Sequence, residues 1–155
     1  MQTIKSHADD SSNNYKELLL PKVTFVKCPI KTSLGVLGKK WTILIIRDIG
    51  FRKIERFNLL LKSIPGLTPR VLSMRLKELE KEGLIKCVHK KRIPMVVLWS
   101  LTEKGKDTLP ILLMLTAFSS KWYSELIFED KKPRKLIEIF PQSEAREIIM
   151  SYIKD

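Results

Sequence analysis

The stretch TPRVLSMRLKELEKEGLIKCVHKKRIPMVVLWSLTEKG, from Thr68 to Gly105, constrains this chain more than any other. Thr68 suits an N-cap, and Pro69 takes the first helical position, where its missing N–H costs nothing. Leu72, Leu76 and Leu79 recur at i, i+4 and i+7, the spacing of a helix with one buried face. At about 100° per residue, Arg70, Ser73, Met74 and Lys77 share the opposite face. Gly83 stops the helix. Leu84 to Lys90 alternates as a strand, and Val96 to Leu101 reads as a second. Lys90, Lys91, Arg92, Ile93 and Pro94 form the tip between them, and Thr102 caps a further helix. Helix, strand, cationic tip, strand, helix is the order of a winged helix-turn-helix. A polar helix face beside a cationic tip makes a surface suited to the groove and backbone of duplex DNA.

The chain has 155 residues, enough for one domain with a real core, and 44% of them are hydrophobic, which excludes general disorder. Its net charge is +12. Clustered Lys and Arg point to a polyanionic partner, nucleic acid before an anionic membrane. Cys28 and Cys87 are too few for a disulfide scaffold. The start MQTIKSHADDSSNNYKE is polar and has no apolar signal core. The longest apolar stretch, around Leu109 to Phe118, is too short to span a bilayer. A cytoplasmic protein with reduced thiols and no membrane partner is expected.

Residues 1–14, rich in Ser, Asn and Asp, read as a mobile arm. A domain is expected over 15–127, followed by a C-terminal helical extension over 128–155. Ile30, Leu34 and Leu37 space a short helix from Pro29, which Gly38 breaks. Trp41 to Ile49 is apolar nearly all round, the mark of a central core helix in which Trp41 packs. Arg56 to Gly66 is a short helix ended by Pro65 and Gly66. The second strand is apolar on both faces. A long helix is predicted from Glu103 to about Ile127, kinked or delayed by Pro110. Ser143 is expected to cap a last amphipathic helix that lines up Ala145, Ile148, Ile149, Tyr152 and Ile153. The fold class is mainly α with a small β-hairpin.

Three stretches carry a family resemblance: CPIKTSLGVLGKKWTILIIRDI (Cys28–Ile49), RFNLLLKSIPGLTPRVLSMRLKELEKEGLI (Arg56–Ile85) and WSLTEKGKDTLPIL (Trp99–Leu112). With the hairpin they cover about residues 28–125, and the chain there resembles the HxlR-type winged-helix transcriptional regulators. The resemblance implies a homodimeric DNA-binding regulator whose N- and C-terminal helices build the dimer. It also implies that the Cys before Pro, here Cys28, is a candidate sensor of oxidants or electrophiles. Leu59 departs from the acidic residue frequent after Arg-Phe-Asn. MVVLW is more apolar than the family strand, and residues 131–155 extend past the family domain.

The apolar excess argues for a dimer independently. Leu112, Leu115, Phe118, Trp122 and Leu126 on the long helix need cover, as do Leu18, Leu19, Leu20, Val23, Phe25 and Val26. A two-fold axis would set two recognition helices on successive major grooves of an inverted-repeat operator.

The DNA-facing set is then Thr68, Pro69, Arg70, Ser73, Met74 and Lys77 in the major groove, with Lys90, Lys91 and Arg92 on flanking phosphate or in the minor groove. Arg75 and Lys81 read as solvated flank charges. Gly38-Lys39-Lys40 lacks the rest of a Walker loop, and no HExxH, CxxC or nucleophile elbow is found. Cys87 and His89 share a strand face, but two ligands are not a metal site. No enzyme, cofactor or metal is expected. As a sensor, Cys28 would need an exposed thiolate; as a structural residue it is a small hydrophobe at the dimer seam. An effector, small molecule or oxidant, is left unidentified. The alternative function is a winged-helix interaction module that docks a protein or RNA, marked by a large apolar patch on the exposed helix face.

Overall fold

A computed structural model describes residues 22–90 and 96–153. The arm 1–14, Leu18 to Leu20 and residues 91–95 of the hairpin tip lie outside the described residues. The order is α1 (Pro29–Leu37), α2 (Thr42–Gly50), α3 (Phe57–Ser63), α4 (Pro69–Lys81), β1 (Ile85–Lys90), β2 (Val96–Leu101), α5 (Glu103–Lys106), α6 (Leu109–Trp122), α7 (Ser124–Ile127), α8 (Leu136–Ile139) and α9 (Gln142–Ile153). It is the winged helix-turn-helix order read from the sequence.

Packing follows the apolar spacing. Ile45, Ile46 and Ile49 of α2 meet Leu60 and Ile64 from the α3 region, and Leu72, Leu76 and Leu79 of α4. Leu84, Ile85, Leu109 and Leu112 complete this core. Removing such side chains from water is the main favourable term in folding. The strands pair antiparallel from Ile85 opposite Leu101 to Lys90 opposite Val96. The Trp99 N–H donates to the Glu55 carbonyl at 2.9 Å, tying the free edge of β2 to the loop before α3. Trp99 and Leu101 therefore pack on the core, while Leu98 is buried on the other strand face.

Thr102 and Gly105 join the hairpin to the end of α4. The Thr102 N–H donates to the Leu84 carbonyl at 3.1 Å, and its hydroxyl donates to the Gly83 carbonyl. The same oxygen accepts from the Gly105 N–H at 3.1 Å. A Cβ at Gly105 would overlap the Leu84 carbonyl oxygen, so only glycine lets these backbones approach.

The predicted long helix is broken. Helices α5 and α6 are separated at Asp107 and Thr108, because Pro110 has no N–H for a continuing helix and fits the first turn of a new one. The Thr108 hydroxyl donates instead to the Gly105 carbonyl at 2.6 Å. A second break falls at Tyr123, whose backbone leaves helical geometry. Leu112 is also corrected: it faces this chain's own core and is not part of the uncovered surface. Ser143 lies within α9, which starts at Gln142.

One carboxylate in the core stands apart from this apolar packing. Asp48 sits near the C-terminal end of α2 with 0% of its surface exposed. Arg47 donates to it through Nε at 2.7 Å, and Arg52 reaches it at 3.3 Å. The Ser63 hydroxyl, at the end of α3, also donates to it. Burial pushes the Asp48 carboxyl upward, but the hydrogen bonds from Arg47 and Ser63 and the two guanidinium charges outweigh it. The net result lies below the ordinary carboxylate range, so the group stays charged at neutral pH.

Asp48→Asn should therefore lower stability at neutral pH. Breaking a fully buried pair costs about 3–5 kcal/mol. Here both guanidiniums are partly solvated, so about 2–3 kcal/mol is expected, roughly 5–10 °C in Tm. The folded carboxyl is depressed, so its contribution is complete above the unfolded value of about 3.9 and vanishes as pH falls through the folded one. Urea unfolding of both proteins against pH should show the gap closing only in acid.

Candidate nucleic-acid interface

Helix α4 has two chemically different sides. Leu72, Leu76 and Leu79 are buried, while Arg70, Met74 and Lys77 are exposed and Ser73 is half-buried between them. Thr68 and Pro69 stand exposed at its start, and the Thr68 oxygen accepts from the Val71 N–H at 3.4 Å. No acidic residue occupies the first turn, so the positive end of the helix dipole is not offset there. Arg56 and Lys62, on the flanks of α3, add exposed cations.

What holds α4 in place comes from the turn before α2. Arg75 is only 15% exposed; its Nε donates to the Lys40 carbonyl at 3.0 Å and its Nη1 meets Glu78 at 2.6 Å. Lys39 approaches the same Glu78 at 3.4 Å. The Arg75 hydrogen bond, backed by the charges of Arg75 and Lys39, holds the Glu78 carboxyl below its ordinary range against the effect of burial. Arg75 is thus a structural tie, correcting its reading as a solvated flank charge, whereas Lys81 is exposed.

Trp41 anchors that turn. Its φ of 77° lies in the left-handed region, an uncommon place for a bulky residue, which here caps α2. Its ring packs against Gly66, itself at φ 81°, and Lys40 Nζ lies 4.8 Å from the ring centroid. The turn before α2 and the Pro65–Gly66 turn before α4 are locked together through one indole.

Of the hairpin tip, only the backbone pairing of Lys90 with Val96 is described, and Lys91 and Arg92 lie outside the described residues. Cys28 is exposed at the N-cap of α1, away from α4 in the chain. Its carbonyl accepts from the Thr32 N–H and hydroxyl, both at 3.0 Å. Cys87 is half-buried on β1, and among the described residues no three His, Cys, Asp or Glu side chains gather as a metal would need. No helix among them is long and apolar enough to cross a membrane.

Periodicity does not single out Asp48, Arg75 or the Lys39–Glu78 pair. An Asp in a largely apolar helix, with Arg one residue before it and four residues after, is the signal that was present. For Arg75 the i,i+3 spacing to Glu78 was such a signal, but its bond to the Lys40 carbonyl, 35 residues away, had none.

Comparison with known proteins agrees with this geometry. The model for the HxlR-like helix-turn-helix matches residues 36–126. The uncharacterized helix-turn-helix-type transcriptional regulator YdeP of Bacillus subtilis is 37% identical over 99 residues, 63% of this chain and 76% of that one. A regulator of the same description from Synechocystis, sll1512, is 34% identical over 98 residues, covering 63% of this chain and 72% of the other. Among solved structures, the reduced transcriptional regulator YodB from B. subtilis superposes with a TM-score of 0.54 at 28% identity, over 63% of this chain and 95% of YodB. The oxidized redox regulator HypR gives a TM-score of 0.53 at 33% identity, over 61% and 96%. These similar proteins are regulators, not enzymes. With a match over more than half its length, this chain belongs to the HxlR-like helix-turn-helix family of transcriptional regulators.

Proposed function

We propose that this regulator is a homodimer that binds an inverted-repeat operator in duplex DNA, in the cytoplasm. The observation that carries the reading is the exposed Arg70, Ser73, Met74 and Lys77 face of α4, on a helix pinned from behind by Arg75, Glu78 and Lys39. A pinned helix loses little freedom when it docks, which favours sequence reading over loose adhesion. Arg70 suits bidentate pairing with guanine, and Ser73 a less discriminating contact. Thr68 and Pro69 begin the helix at a position fit for phosphate. Lys90, Lys91 and Arg92 would hold the flanking backbone. The mixed polar and cationic face favours nucleic acid over the protein-docking alternative, since Met74 alone makes no apolar patch there.

Selection of bound sequences, followed by anisotropy across a salt series, tests the reading. Arg70→Ala should relax preference at one base per half-site, by about 1–3 kcal/mol. Replacing Lys90, Lys91 and Arg92 by Ala should weaken all sites and flatten the salt slope by roughly 2–3 units. Binding without any sequence preference in the unaltered protein would overturn the proposal.

The dimer rests on α6 and α7. Ile111, Leu115, Phe118 and Trp122 share one helix face, and Phe118 is 55%, Trp122 65% and Leu126 85% exposed. Val23, Phe25 and Val26 are uncovered as well. So large an apolar surface is rare on a monomer. Sedimentation at micromolar concentration should give two chains, and Trp122→Glu should give one. A soluble monomer before mutation would remove the basis for the palindrome.

Cys28 is the redox-sensing candidate within the same reading, supported by its exposure and by the likeness to the redox regulator HypR. Mild oxidant should change operator affinity in the native chain and leave Cys28→Ser unaffected. Equal responses would leave Cys28 as a surface residue.

A further inference from the structure

A cavity of about 560 Å³ lies between α2, α6 and the C-terminal segment that follows α7. Its walls are mostly apolar: Ile43 and Leu44 from α2, Phe51 after it, Leu115 from α6, and Phe128 and Phe140 from the extension. Its volume falls within the range of sites that enclose small molecules, about 300–1,000 Å³. Part of the wall, Phe128, Ile139 and Phe140, lies past the matched family domain. Phe140 is held there by Phe51, with ring centroids 5.6 Å apart.

Charge at the rim says what kind of molecule fits. Arg47 and Arg52 both line the cavity, and among the described residues their only carboxylate is Asp48. Two guanidiniums against one carboxylate leave one positive charge in excess. Arg52 is also loosely held, reaching Asp48 through Nη1 alone at 3.3 and 3.4 Å, so most of its donors remain for another acceptor. Ser119 and Thr116 add hydroxyls on the α6 side.

We propose that this cavity binds an amphipathic monoanion, an apolar body carrying one carboxylate that pairs with Arg52 and Arg47. The apolar body lies against the phenylalanines, and the carboxylate takes the uncompensated charge at the rim. An anion there competes with Asp48 for guanidinium donors, and Asp48 is the group that ties α2 to Ser63 of α3. Occupancy would thus be felt by the helix-turn-helix. Binding itself does not depend on the DNA-binding reading.

Calorimetry of the full chain with decanoate, and with decanol as its uncharged counterpart, tests the site without DNA. Decanoate should saturate at one per chain and bind about tenfold tighter than decanol, the worth of a charge-assisted pair. Arg52→Gln removes the positive charge, shortens the side chain and loses the long contact to Asp48, and should bring decanoate to the level of decanol. Ser119→Trp should obstruct the cavity and weaken both. Equal binding of the two ligands, decanoate binding unchanged in Arg52→Gln, or no saturable binding would each overturn the proposal. Apolar adhesion to the exposed α6 face would show itself as equal binding, insensitive to Arg52.

Discussion

The contact on which the rest of this structure depends is the charged Asp48 carboxylate in an otherwise apolar core. A carboxylate without exposed surface is tolerable only with several donors, and Arg47, Arg52 and Ser63 supply them. Those donors belong to different parts of the fold. Arg47 is on α2, Arg52 is in the loop after it, and Ser63 ends α3. One group therefore sets how the central helix meets the first helix of the helix-turn-helix pair. Apolar side chains could fill the same space but would allow sliding, because dispersion and burial are not directional. Hydrogen bonds of defined length do not allow it.

A second polar tie fixes the other helix of that pair. Arg75 and Glu78 leave α4 on its flank and meet Lys40 and Lys39 in the turn before α2. Trp41 caps that turn at a backbone angle few large residues adopt, with its ring beside Gly66, whose own φ of 81° favours glycine. Strain at Trp41 is held by its packing. The result is a helix whose buried leucines set its depth and whose flank ties set its rotation. Both are needed before an exposed face can be presented in a defined direction.

The C-terminal third shows a different division of labour. Helix α6 faces three ways. Leu109, Leu112 and Leu113 are buried, Ser119 and Thr116 look into the cavity, and Phe118 and Trp122 stand in the open. The extension lines one side of the cavity through Phe128, Ile139 and Phe140. Ser120 donates to the Arg134 carbonyl at 2.6 Å and accepts its N–H at 2.9 Å, so a buried hydroxyl is fully satisfied. Arg134 also lies 4.4 Å over the Phe128 ring, and Ile148 of α9 packs against the core. A segment outside the matched family domain is thereby built into the body of this protein.

The winged-helix order, the buried leucines of α4 and its exposed Arg70, Met74 and Lys77 were legible from spacing alone, as were the Thr68 and Thr102 caps. Such features are local: a 3.6-residue period, a hydroxyl three residues before an N–H, and a proline in a first turn act within one or two helical turns. At Pro110 the long helix is open to a kink or a delayed start, because a kink and a fresh start look alike in sequence; the structure has the fresh start. Only the Thr108–Gly105 contact distinguishes them. Leu112 and Phe118 are equally apolar, and tertiary structure alone decides that one is core and the other is exposed. The ties of Asp48 to Ser63 and of Arg75 to the Lys40 carbonyl, and the cavity, were not legible, since those partners lie on other elements far along the chain. The sequence by itself determined the winged-helix order, the Thr68 and Thr102 caps and the two sides of α4. The tertiary structure decided which charges are tied and which are free, because ion pairing depends on distances that only packing sets.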